Sequence, residues 1–452
     1  MGLYLSGKSG TLFPRGDGRV IASRVAARCN GIFRFGLFVA SPDVSSVESA
    51  RSEQVGRSAH VRIITGTVIA GFCVFLQLYA PQPLLALFGR DFRASEAAVS
   101  LIISAAAFAV AVASPFVGML ADAVGRKRVI VPCLLALAIS TLGCAFSRTL
   151  DQLIFWRFIG GVCTPGVIAV TLAYISEEAA AHATGSVTAL YVTGTVVGGL
   201  TGRLCAAFAA DRLSWRWSFG LLAAMTLLGA LAVWAFLPRS RRFTRNTQWR
   251  ESLGSMSAHL RNPRLLATYL CGFTILFSHV GLFTYVNFHL ARPPYSLSTS
   301  ALGMVFLVYA LGVVVTPLSG RLIDRLGHRA GIAVAVALIV AGAALTLARP
   351  LPVLVIGLAI ASSGVFVAQA SASSHIGRVA HGARSAAAGL YVACYYLGGA
   401  AGATGLAAPW RFGQWPAVVA AIVLVQCITL AITWRFFSAG PAAESSAAIP
   451  LE

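Results

Sequence analysis

Charge is what this chain has least of. Only 11% of its 452 residues are Asp, Glu, Lys or Arg, and just 15 are acids, against about 25% charged in ordinary soluble domains. At about 150 residues per domain the length suggests three soluble domains, but such domains could not cover their surfaces with so few charges. The scarcity of acids also removes paired carboxylates, and no H-E-x-x-H or G-x-S-x-G stretch occurs. No catalytic constellation remains, so the chain is expected not to be an enzyme and to need no cofactor. Its nine cysteines, at 29, 73, 133, 144, 163, 205, 271, 394 and 427, form no C-x-x-C pair and no Cys/His cluster. That excludes a disulfide framework and a structural zinc site, leaving small buried hydrophobes. Gly2-x-x-x-x-Gly7-Lys8-Ser9 fits the phosphate-loop pattern literally. No strand precedes it and no α/β domain follows, so nucleotide binding is set aside.

What the chain has instead is apolar length. Hydrophobic residues make up 57% and mean hydropathy is +0.78. Apolar runs fall at about 61–81, 97–117, 129–147, 150–174, 184–208, 215–237, 265–290, 298–318, 330–348, 352–373, 384–408 and 414–437. Each can cross a bilayer, which takes about 20 apolar residues. The expectation is an all-α membrane protein of twelve transmembrane helices. The net charge of +20 would suggest nucleic acid on a soluble chain; here the basic residues collect between spans, where anionic lipid is the natural partner.

Those basic residues also orient the chain. One alternate set of loops holds fifteen Lys and Arg, including Arg126, Lys127, Arg128, seven arginines from Arg239 to Arg264, and Arg321, Arg325, Arg329, Arg378 and Arg384. The opposite set holds seven: Arg90, Arg93, Arg148, Arg212, Arg292, Arg349 and Arg411. The richer set, with both termini, is expected to be cytoplasmic. Residues 1–60 carry seven Arg and one Lys against four acids, and their one apolar stretch, Ile32 to Ala40, is too short to span. They read as a basic disordered tail, as an organelle-targeting segment, or as lying upstream of a true start near Val47, Val55 or Val61. Residues 238–264, with seven Arg and one acid, read as a cytoplasmic linker along the inner leaflet, partly an interfacial helix; residues 438–452 read as a tail.

The halves repeat. Ser114-Pro-Phe-Val-Gly118-Met-Leu-Ala-Asp122-Ala-Val-Gly125-Arg126 is echoed 202 residues later by Thr316-Pro-Leu-Ser-Gly320-Arg-Leu-Ile-Asp324-Arg-Leu-Gly327-His328. Leu190-Tyr191-Val192, Gly198-Gly199 and Trp215 recur 200 residues later as Leu390-Tyr391-Val392, Gly398-Gly399 and Trp415. Such a period suits a duplicated six-helix bundle, 61–237 and 265–437, both inserted in the same sense.

With Gly118-x-x-x-Asp122-x-x-Gly125-Arg126-Lys127-Arg128 between spans two and three, the chain resembles the major facilitator superfamily. Gly320, Asp324 and Gly327 form the second copy, with His328 in the first basic position. Phe155-Trp-Arg157-Phe-Ile-Gly160-Gly161 is similar to the Arg that the family places in span four. Gly194-x-x-x-Gly198-Gly199-x-x-Gly202 resembles the antiporter motif of span five, but Gly199 replaces its proline and Arg203 its last glycine. That form resembles the YnfM-like and arabinose-efflux-like permeases near the drug:proton antiporter branch.

The resemblance implies an alternating-access transporter, a monomer in the bacterial inner membrane, with a small-molecule solute and protons as partners. It implies that Asp122 stabilises the outward-facing state at the seam between bundles and that Arg157 is linked to proton movement. From the residues alone, an Arg in an apolar span either faces the bundle interior, caps carbonyls, or pairs with Asp151. Gly194, Gly198 and Gly202 lie along one helix face, as Gly398 and Gly402 do, letting helices approach closely; were the helices to meet across the halves, that seam would be where the bundles rock. Candidate solute contacts are the polar residues inside spans, Gln77, Ser278, His279, Asn287, Gln369 and Tyr395, each of which also fits a bundle hydrogen bond. His279 is either titratable near physiological pH or a neutral hydrogen-bonded residue. Spans one and seven carry no carboxylate for a cationic drug, and Arg157 and Arg203 admit a neutral or anionic solute. Proton-coupled efflux is the expected function; uptake or facilitated diffusion, and a non-transporting sensor or scaffold built on the tail and linker, are the alternatives.

Overall fold

The computed structural model describes residues 44–180, 183–240, 249–380 and 384–437; the side chains of 44–59, 249–253, 317, 324, 384 and 385 lie outside the description. The literal phosphate-loop match at residues 2–9 and most of the tail at 1–60 therefore lie outside it, as do residues 438–452 and the Asp324 side chain.

Among the described residues every regular element is helical. The order is α1 (Val44–Leu78), α2 (Leu85–Asp91), α3 (Glu96–Val124), α4 (Arg126–Ala145), α5 (Leu150–Cys163), α6 (Pro165–Glu178), α7 (Thr184–Arg212) and α8 (Trp215–Phe236). The second half follows as α9 (Trp249–Arg261), α10 (Pro263–Leu290), α11 (Thr299–Val305), α12 (Leu311–Leu345), α13 (Leu351–Val379), α14 (Arg384–Gly405) and α15 (Ala407–Phe436). Residues from Val55 onward form one compact unit.

Eleven of these helices or helix runs are long and apolar enough to cross a membrane. The twelfth span, α14, is as long but carries Tyr391, Tyr395, Tyr396 and five glycines, which dilute its hydropathy. Local chemistry sets the boundaries. Ser95 caps α3 by accepting from the Ala98 N–H, Thr149 caps α5, Asn262 caps α10 and Ser298 caps α11. The second span runs seven residues past the apolar pattern, to Val124, and the third starts two residues later at Arg126. The turn between them is Gly125 alone, at φ 102°, and its repeat is Gly327 at φ 81°, a backbone region that side chains other than glycine avoid.

The outside of the bundle is apolar. Phe116, Ile139, Phe146, Leu228 and Leu424 are all more than half exposed, which suits a lipid-facing surface and no aqueous one. Trp217 and Trp234 are exposed on α8, and their separation along the helix is about 26 Å at 1.5 Å per residue, close to the hydrocarbon thickness.

Inside, the glycine faces seat helix against helix. A Cβ at Gly198 or Gly202 would collide with the Phe72 or Leu76 carbonyl of α1, and one at Gly398 or Gly402 with the Phe273 or Phe277 carbonyl of α10; Gly194 lies against Val68. These seams therefore join spans one and five, and spans seven and eleven, within each half. The alternative in which they meet across the halves is not what the fold shows, because the small-residue faces point at the partner inside the same repeat.

Candidate functional site

Two polar knots hold the first and last spans of each half together. The Gln77 amide donates to the Leu222 carbonyl at 2.8 Å and to the Thr226 hydroxyl, and its oxygen accepts from Thr141 at 2.9 Å. In the second half Gln426 donates to Ser278 at 2.8 Å and Thr429 donates to Thr274 at 2.7 Å. Gln77 and Thr226 repeat as Ser278 and Gln426, with the amide moved to the opposite helix. Both Gln77 and Ser278 are buried and their described bonds lie inside their own halves. Asn287 donates to the Phe283 carbonyl of its own helix. Gln369 accepts from Tyr391 at 2.8 Å, joining α13 to α14, and Tyr395 stacks on Tyr391 with ring centroids 5.9 Å apart. Of the six expected solute contacts, then, His279 sits in the central cluster described next, and Tyr395 packs against the same buried core.

That cluster lies where helices break. Span one stops at Leu78, because Pro81 and Pro83 withdraw backbone donors, and resumes through a 3₁₀ turn at Gln82–Leu84. Span eight tightens into 3₁₀ geometry at Phe306–Ala310. Irregular backbone at membrane depth survives only where protein or a cavity satisfies it. Here Arg157 serves: it donates to the carbonyls of Gln77, at 2.9 Å, and Leu78, and more weakly to Ile102. It thus caps the C-terminus of α1, where the helix dipole is negative, and Asp151 is exposed and plays no part.

Arg203 reaches the same level from α7. Its Nε donates to the Gln82 oxygen at 2.9 Å and Nη1 to the Gly199 carbonyl at 2.9 Å. The guanidinium carbon lies 4.6 Å from the Tyr309 ring centroid, 4.9 Å from that of Phe306 and 5.4 Å from that of Tyr79. His279 stands 5.1 Å from Tyr309, ring to ring. The Tyr79 and Tyr309 hydroxyls and His279 Nδ1 are buried without a hydrogen-bond partner. Neither Arg157 nor Arg203 takes part in an ion pair among the described residues. Removing a guanidinium from water costs several kcal/mol, and each aromatic face returns only about 0.5–2 kcal/mol. Sequence reading missed Tyr79, Gln82, Phe306 and Tyr309; the Pro81 and Pro83 pair was the clue that span one breaks there.

The motif end of the bundle is a charge cluster. Asp122 near the end of α3 pairs at 2.5 Å with Arg126, which opens α4 across the Gly125 turn, and Arg126 is also held in a fork by Glu177, at 2.6 and 3.2 Å. Lys127 donates to the Trp234 and Leu237 carbonyls at the end of α8, and Arg128 lines the same basic recess. In the repeat His328 meets Ser374 at 3.0 Å and Arg329 lies over Trp434 at 3.8 Å. Glu177 was also missed, although any acid in so acid-poor a chain merited notice. A Cβ at Gly118 or Gly320 would meet no atom within 4 Å.

The opposite end is closed across the halves. Arg292, which follows α10, pairs with Glu96 at the start of α3, donates to Gln414 at 2.8 Å and lies over Trp410. Below it Ser104 of α3 donates to the Ala400 carbonyl of α14 at 2.9 Å, and Gly303 of α11 abuts Ala207 of α7.

The Major Facilitator Superfamily profile matches residues 67–403. An uncharacterised MFS-type transporter of Bacillus subtilis, YybF, is 32% identical over 362 residues, 80% of this chain and 90% of that one. The inner membrane transport protein YnfM of Escherichia coli is 30% identical over 381 residues, 84% of this chain and 91% of that one. Among solved structures, the nucleoside transporter NupG superposes with a TM-score of 0.71 at 14% identity, covering 84% of this chain and all of that one. A partially occluded inward-open form of the xylose transporter XylE from E. coli gives 0.67 at 15% identity, covering 84% and 98%. With its duplicated all-helical bundle, its motif turns at Gly125 and Gly327 and these relatives, the chain belongs to the major facilitator superfamily and is a multi-pass membrane transporter, not an enzyme.

Proposed function

We propose that the protein exports a small organic solute across the bacterial inner membrane in exchange for protons, as a monomer, by alternating access. The two moving bodies are residues 61–237 and 265–437, with 238–264 as the connection. The observation that carries the reading is the uneven distribution of contacts between halves. Glu96–Arg292, Ser104–Ala400 and Gly303–Ala207 all lie toward one end, whereas the Asp122, Arg126 and Glu177 network at the other bonds, among the described residues, within its own half. Because the basic loops lie at the motif end, the positive-inside rule makes that end cytoplasmic and this state inward-facing.

Proton coupling and direction rest on the motif resemblance and on the site's chemistry. Asp122 is a partly exposed carboxylate engaged by Arg126, so neutralising it would remove the ion pair between α3 and α4 while Glu177 keeps its hold on Arg126. A membrane potential of about 100 mV supplies about 2.3 kcal/mol per proton. The test is efflux into inverted vesicles with and without a protonophore, in the wild type and in Asp122→Asn. Export that collapses with the gradient and in the variant is expected. Flux indifferent to both would refute the coupling, and flux in the reverse sense would identify an uptake system. Deleting residues 2–56 is expected to leave flux intact; loss of function on that deletion would favour a scaffold.

A further inference from the structure

We infer that Arg203 is the anion-binding residue of the solute site, and that the solute is a small organic monocarboxylate with a flat apolar body. The inference rests on the transporter reading and names its substrate class.

Arg203 keeps donors that no described acceptor takes, and two hydroxyls on the rings beside it lack partners as well. A guanidinium carries five N–H groups, of which Gln82 and Gly199 take two. Tyr79 and Tyr309 both lay a ring against the same guanidinium, and both keep a buried hydroxyl with no partner. Buried hydroxyls are ordinarily satisfied, and a carboxylate is the group that accepts from a guanidinium fork and from hydroxyls together. No carboxylate of this chain does so among the described ion pairs. Packing does not explain the residue either. The repeat places Ala403 at the equivalent position of α14, fully buried, and the family motif has glycine where Arg203 stands; a small residue suffices for the helix seam. Arg157 is the weaker candidate, because three of its nitrogens already donate to carbonyls, two of them at the end of α1. The surroundings of Arg203 select the body of the ligand: Phe306, Tyr309 and Tyr79 present ring faces, and Tyr396 belongs to the same buried cluster.

The test uses the purified full-length protein and two matched probe sets, benzoate, benzamide and benzylamine, and hexanoate, hexanamide and hexylamine, read by thermal shift. The expected result is a concentration-dependent rise in melting temperature with benzoate, less with hexanoate, and none with the amides or amines. Arg203→Gln is expected to weaken benzoate by about tenfold or more, with Arg203→Lys between it and the wild type. The ligand-free melting temperature of each variant reports folding. Tyr79→Phe and Tyr309→Phe, which keep the rings, are expected to weaken benzoate several-fold and carry the test should Arg203 variants not fold. Stabilisation by the amines, an unchanged benzoate shift in Arg203→Gln, or no shift with any of the six probes would overturn the proposal. Liposome flux separates it from the reading beneath it. Benzoate that binds without crossing would sink the transporter and spare the site, whereas benzylamine carried in place of benzoate would do the reverse.

Discussion

Arg157 and Arg203 are both buried and, among the described residues, neither pairs with a carboxylate, yet their donors are spent differently. Arg157 closes the frayed end of α1, so Arg157→Gln is expected to lower stability by about 1.5–3 kcal/mol, the range for a lost charged hydrogen bond, as measured by thermal unfolding in detergent. A variant as stable as the wild type, with only the pH profile of transport displaced, would restore to Arg157 the proton-linked role that the family resemblance implies. The motif glycines separate in the same way. Gly125 has a positive φ with open space around it, so Gly125→Ala costs the backbone strain alone, about 1–3 kcal/mol. Gly118 is helical and equally open, so Gly118→Ala is expected to leave the melting temperature unchanged or slightly raised while slowing transport, if α3 closes on the other half in the opposite state. A Gly118→Ala variant with wild-type flux would remove that closure. These glycines, Asp122 and the basic residues were legible in the sequence because a motif fixes their spacing. Tyr79, Tyr309 and Glu177 were not, because which spans face one another is a property of the folded bundle and not of any one stretch of chain.

At the scale of the helix, the glycine faces set how close two spans can come. A Cβ at Gly398 would run into the Phe273 carbonyl, whereas one at Gly389, nine residues earlier on the same helix, would meet nothing within 4 Å. Gly398→Ala is therefore expected to lower stability by about 1–3 kcal/mol, and Gly389→Ala to leave it the same or raise it by the helix-propensity gain over glycine, up to about 1 kcal/mol. Paired melting curves decide this; equal effects at the two positions would mean that α14 is not seated on α10 as the seam requires. The apolar runs revealed all twelve spans, since crossing a membrane demands an unbroken hydrophobic stretch. They did not reveal the true helix ends. α3 and α6 continue past their apolar cores to Val124 and Glu178, because helical hydrogen bonding persists into polar sequence until a glycine or an extended residue stops it. Nor did they reveal the interruption of span one at Leu78, which hydropathy averages over although Pro81 and Pro83 break the hydrogen-bond ladder.

At the scale of the whole molecule, duplication gives two bundles with matching internal ties, Gln77–Thr226 in one and Ser278–Gln426 in the other. Each half is thereby bound to itself; between the halves α3 packs along α14 and α11 against α7, and the described polar ties Glu96–Arg292 and Ser104–Ala400 collect toward one end. Among them Glu96–Arg292 is partly exposed, with the Arg292 side chain 47% accessible and that of Glu96 29%, and exposed ion pairs contribute only about 0–1 kcal/mol. A latch of that strength can close an end without making its opening slow. It follows that fixing this contact covalently should stop the cycle while leaving each half folded. In a background freed of the nine native cysteines, Glu96→Cys with Arg292→Cys, joined by a short bifunctional thiol reagent, is expected to abolish flux. Each single variant should keep most of its flux under the same reagent. A reducible reagent should restore transport in the double variant once cleaved, which separates arrest from damage. Transport at the uncrosslinked rate, with the crosslink verified by mass spectrometry, would show that the halves need not part at this end, and alternating access between 61–237 and 265–437 would fall with it.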